Sequence, residues 1–146
     1  MQCHVLGSPS GVSSDLMVVL APGDELHASL CAAAAQHGIE GAMVSGIGAV
    51  DDLELGYFSL PEKTYIRRLI RHRVEAVSLM GNLSLRDGTP FLHVHGLFTG
   101  VDFGAFGGHV FKAVASITLE MMVLRTGPMR RVPYPEFGLT RICGID

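Results

Sequence analysis

At 146 residues, with 48% hydrophobic and only 17% charged residues, the chain has the length for one packed core and carries more apolar surface than a small monomer hides. That balance predicts an obligate oligomer. A formal charge of -3 and a pI near 6.1 exclude a global attraction to nucleic acid, and no stretch reaches the roughly 18 consecutive apolar residues that span a bilayer.

The opening stretch "MQCHVLGSPSG" lacks the positive start and apolar run of a secretory signal. Cys3, Cys31 and Cys143 are odd in number, scattered and free of any CxxC pair, so reduced thiols in a cytoplasmic protein are expected. Leu16 to Ala21 reads as a strand, Pro22-Gly23 as a turn, and Asp24 to His37 as a helix capped by Asp24 or Gly23 and ended by Gly38. Leu26, Leu30 and Ala33 or Ala34 form its buried stripe at three-to-four spacing.

From Ala42 the pattern turns to strands: "AMVSGIGAV", "LELGYFSL", "TYIRRLI" and the long "VEAVSLMGNLSL". Asp87-Gly88 between apolar runs predicts a tight hairpin turn into "PFLHVHGLF". "TGVDFGAFGG" reads as a second connection, and "HVF" with "VASITLEMMVL" closes the series at Leu124. Pro128, Pro133 and Pro135 then predict an irregular arm over residues 127–146. The expectation is one domain over residues 1–146, of class α+β, with a curled, mainly antiparallel sheet and one main helix packed on it. Strands apolar on both faces, such as "ASITLEMMVL", need cover from the helix or from another subunit.

Three of the seven histidines fall within twenty-one residues, in "FLHVHGLFTGVDFGAFGGHVF". On a strand His93 and His95 point to one face with Cα atoms roughly 6.6 Å apart, an arrangement suited to sharing an ion. A hairpin across the Gly-rich connection can bring His109 beside them. Three imidazoles would leave a fourth position open, the pattern of a catalytic or ligand-binding ion. The competing reading is three core or interface histidines, each satisfied by a carbonyl or a neighbouring side chain. Spacing leaves the two evenly matched.

The segments "LAPGDEL", "SGIGAV", "EAVSLMGNLSLRDGTPFLHVH" and "GGHV", in this order, resemble the plants and prokaryotes conserved (PPC) domain over about residues 14–126. The resemblance implies an α+β fold similar to that of acetolactate decarboxylase, a homotrimer, and a metal site, usually zinc, on His93, His95 and His109. In plants the domain follows an AT-hook, and no Arg-Gly-Arg-Pro core occurs in this chain. DNA binding, the label carried by many prokaryotic relatives, would make the domain a trimerisation and interaction scaffold; fold-level inheritance is a weak warrant for it.

Other features carry paired readings. Gly46 and Gly48 fit close backbone approach or a bulge better than a nucleotide loop, since the third glycine and the helix are missing. Glu75 and Glu120 lie in apolar strands and call for partners: either an ion pair with an arginine, or a catalytic role beside a metal, as a general base or support for a ligating histidine. Asp102 and the Tyr57 hydroxyl are further catalytic candidates for a zinc-dependent lyase or hydrolase acting on a small molecule. Arg67, Arg68, Arg71 and Arg73 read as a solvated strand edge, with an anion or DNA contact as the rival. Met121 and Met122 read as packing.

Overall fold

A computed structural model of the chain describes residues 1–7 and 15–143. Residue 14, the expected start of the core, residues 8–11 of the opening stretch and residues 144–146 of the expected arm lie outside the described residues.

The elements in order are β1 (Gln2–Leu6), β2 (Asp15–Leu20), α1 (Leu26–Gln36), β3 (Ala42–Ser59), β4 (Thr64–Ile70), β5 (Val74–Arg86), β6 (Thr89–Thr99), β7 (Ala105–Arg125), β8 (Arg131–Tyr134) and β9 (Leu139–Ile142). The class is α+β, with one helix among the described residues and a mainly antiparallel sheet ordered β1-β2-β7-β6-β5-β3-β4. A further pairing of β7 with β3 curls the sheet into a closed ring of β3, β5, β6 and β7. Strand alternation sets what lies inside: Leu92 and Val94 of β6 are buried, with Leu79 and Leu83 of β5 and Val110 of β7. Phe98 joins them without exposure, as do Leu26 and Leu30 of α1. Each such large side chain contributes roughly 1.5–3 kcal/mol of burial.

The helix starts later than the sequence suggests. Its N-cap is Glu25, whose carboxylate accepts from the Ala28 amide at 2.8 Å. Asp24 instead accepts from the Ala21 amide at 2.9 Å and closes the Pro22-Gly23 turn, so neither it nor Gly23 caps the helix. Gly38, at φ +61, does end it.

"AMVSGIGAV" and "LELGYFSL" form one strand rather than two, because bulges bend β3 so that its halves serve different neighbours. One register shift lies between Gly46 and Gly48. At Gly48, φ is +152 and a Cβ would stand 2.2 Å from the Thr118 carbonyl oxygen, so close approach and a bulge both hold there. "HVF" and "VASITLEMMVL" are likewise one strand, and the predicted ten-residue connection shrinks to residues 100–104. Asp87 and Gly88, at φ +53 and +78, make the predicted hairpin turn.

Three strands escaped the reading. β1 pairs antiparallel with β2, and the arm expected to be irregular carries the β8-β9 hairpin. Gly138, at φ +66, supplies its turn, while Pro133 sits in a two-stranded ribbon that tolerates a missing amide.

Candidate metal centre

His93 and His95 occupy the outward half of the β6 alternation whose inward half is Leu92 and Val94. The β6-β7 register sets His109 directly opposite His95. The hairpin therefore assembles the cluster: ring centroids are 5.1 Å apart for His93-His95, 5.1 Å for His93-His109 and 5.3 Å for His95-His109. One nitrogen from each ring lies within 4.8 Å of the others.

Gly81 of β5 makes this approach possible. A Cβ there would stand 2.1 Å from the His93 carbonyl oxygen, inside any tolerable contact. Phe111 and Tyr65 wall the cluster, with centroids 4.5 Å and 5.1 Å from the His109 ring.

Burial lowers the pKa of His93 to about 4, helped by the positive charge of Arg131 and by His95 and His27. Burial also lowers His109 to about 4, with His93, His95, His27 and Arg67 adding to it. Both rings are neutral at physiological pH, the form that donates a lone pair to a cation. His109 Nδ1 is buried with no hydrogen-bond partner among the described residues. An orphaned nitrogen in a converging set of three imidazoles is a donor set that could hold a metal ion.

A cavity of about 450 Å³ opens beside the cluster. His93, His109, Tyr65, Phe91, Arg86 and Arg131 line it, and the β8-β9 hairpin closes one side through Leu139 and Thr140. Nothing in the local pattern singles out Arg131, which reaches the site only because its hairpin folds back onto β5.

The other candidates lie elsewhere. Glu75 and Glu120 are exposed and in no ion pair among the described residues. Asp102 accepts from the Gly104 amide at 3.1 Å and shapes the turn before β7. Tyr57 is 73% exposed, and none of these four lines the cavity. Arg67 pairs with Glu54 at 3.0 Å and lies 3.8 Å over the Phe111 ring, and Arg68 stands 5.9 Å from the Phe106 ring. Arg71 and Arg73 line a separate depression with Asp51, Asp52, Glu54 and Lys112. The Arg67–Arg73 run therefore follows the edge strand β4 and sits among carboxylates.

Together, the ring-closed antiparallel sheet, the single helix and the three-imidazole cluster define an α+β protein with a potential metal-binding hairpin. The family model for the Plants and Prokaryotes Conserved (PCC) domain matches residues 8–126, and the chain belongs to that family. A plant- and prokaryote-conserved protein from Pyrococcus horikoshii is 26% identical, with a TM-score of 0.84 over 99% of this chain and 96% of that one. A metal-containing protein from Archaeoglobus fulgidus is 26% identical, with a TM-score of 0.82 over 99% of each chain. A protein from Bacteroides thetaiotaomicron described as a "putative DNA binding protein" is 25% identical, with a TM-score of 0.86 over 97% of this chain and 96% of that one. No curated protein matches the chain. Among the described residues no helix is long and apolar enough to cross a membrane.

Proposed function

We propose that this is a trimeric metalloprotein in which His93, His95 and His109 hold one divalent cation, zinc by the softness and number of the nitrogen donors. The observation that carries the reading is the convergence of three ligand nitrogens within 4.8 Å. The description of the Archaeoglobus relative as metal-containing supports it. Three protein ligands would leave a further position for a small molecule. A divalent ion there supplies Lewis acidity, activating water or polarising a carbonyl, which suits a lyase or hydrolase. The chain's own residues hold the imidazoles in register through the β6-β7 hairpin, with Tyr65 and Phe111 packed against His109.

The trimer is supported by apolar side chains on the outside of the ring. Met80 is 62% exposed, Ile47 58% and Met43 45%. Met80 stands opposite His95 across β5-β6, and Met43 opposite Leu124 across β3-β7, so the apolar surface runs up to the cluster. A neighbouring subunit on this face would cover it. Such an assembly resembles the acetolactate decarboxylase-like architecture.

Metal analysis of tag-free protein tests the site. About one equivalent of zinc per chain is expected, lost in His93→Ala; less than about one per three chains, unaffected by that substitution, overturns it.

A second reading, a DNA-associated scaffold, rests on the description of the Bacteroides relative and on exposed Arg68, Arg71 and Arg73. Asp51, Asp52 and Glu54 beside the arginines weaken it. It requires duplex DNA binding that falls steeply with salt and disappears on charge reversal of Arg67 and Arg68. Absence of binding at low salt removes it.

A further inference from the structure

Cations outnumber anions around the 450 Å³ cavity: among the described residues only His27 of its basic lining is paired with a carboxylate, that of Glu25 at 3.3 Å. Although the chain carries a formal charge of -3, the described residues lining this cavity include Arg86, Arg131, His27, His93 and His109 and not one carboxylate. The depression near Arg71 and Arg73 differs: Asp51, Asp52 and Glu54 answer its cations, and Lys112 is already paired with Asp52.

Arg131 is a built component rather than a loose surface side chain. Its Nε donates to Ser84 Oγ at 2.9 Å, Nη2 to Asn82 Oδ1 at 2.9 Å and Nη1 to the Thr140 carbonyl at 3.4 Å. All three acceptors are neutral, so the positive charge is fixed in place and unneutralised. A guanidinium has five N–H donors, and those left over have no acceptor among the described residues. Arg86 stands with it: their guanidinium carbons lie 4.1 Å and 5.0 Å from the centroid of the same ring, Phe91. Burial and the Arg86 charge together lower the pKa of Arg131. Two cations held near one another without an acid are poised for an anion, and guanidinium forks match a carboxylate. The rest of the lining is aromatic and aliphatic, with Tyr65, Phe91, Phe111, Val110 and Leu139. The volume falls within the roughly 300–1,000 Å³ of small-molecule sites.

We propose that this cavity binds a small organic carboxylate, its carboxylate group held by Arg131 and Arg86 and its apolar body packed against Phe91, Tyr65 and Phe111. The proposal rests on the metal reading only in turning the ligand's far end toward the three histidines; the arginine contacts form without an ion.

The test measures zinc content and ligand binding separately, using isothermal titration with benzoate, its neutral isostere benzyl alcohol and inorganic phosphate. Benzoate binding at millimolar concentration or tighter is expected, with benzyl alcohol and phosphate at least tenfold weaker. Arg131→Met and Arg86→Met should each weaken benzoate tenfold or more while zinc content stays unchanged. Arg86 is exposed and hydrogen-bonded to nothing among the described residues, so that variant keeps the test open if Arg131→Met fails to fold. No benzoate binding, equal binding of either control, or benzoate binding unchanged in Arg86→Met overturns the proposal. Arginine-dependent benzoate binding by a protein that takes up no zinc supports the carboxylate site and overturns the metal reading alone.

Discussion

Gly81 lets β5 pass against the backbone of His93, and its effect reaches the imidazoles directly. Gly81→Ala should cost roughly 1–3 kcal/mol, because the added methyl must displace the His93 carbonyl or its strand. Urea unfolding checks the stability, and the zinc content of the folded fraction should fall with it. His109→Phe separates the two effects. It removes the orphaned Nδ1 and should retain the fold, since the ring already packs against Tyr65 and Phe111, while zinc is lost. At this scale the histidine set was legible, because strand alternation fixes the direction of His93 and His95. Glu75 and Glu120 interrupt apolar strings, and whether a strand face meets protein or water is not written in the string.

Glu25 governs the entry to α1, where its carboxylate takes hydrogen bonds from the Ala28 amide and the His27 ring and the more distant Ala113 amide. Burial pushes its pKa up, and the bonds from His27 and the Ala28 and His27 amides outweigh that push, leaving it at about 2 against an ordinary 4.5. The folded-state pKa is depressed, so the stabilisation is fully present above about pH 4.5 and fades as pH falls toward 2. Glu25→Gln should lose about 1 kcal/mol at pH 7. The gap between the two proteins in urea unfolding should stay constant from pH 7 to 5 and narrow below 4.5. Helix and strands were legible as elements from their periodicity. The cap was not, because Asp24 and Glu25 are both plausible acceptors and only the turn at Pro22-Gly23 decides which amide each meets.

For the whole molecule, the ring formed by β3, β5, β6 and β7 buries one face of each strand and leaves Met43, Ile47 and Met80 outside. If a trimer covers that face, Ile47→Asp should yield monomers in light scattering coupled to size exclusion, with a fold preserved by circular dichroism. A variant that remains trimeric rules out this face as the interface. The amino-acid string by itself determined the class of the fold and the hairpin at Asp87-Gly88, because those follow from local periodicity and turn chemistry, whereas the three histidines stood out as a set through the resemblance to the PPC domain. Only the tertiary structure decided that β3 bends to serve two neighbours, that Glu75, Asp102, Glu120 and Tyr57 stand apart from the cluster, and that Arg131 closes onto it. Those outcomes depend on how distant segments meet, and a spacing of thirty-eight residues between His93 and Arg131 carries no geometric information until the sheet curls and the last hairpin folds back.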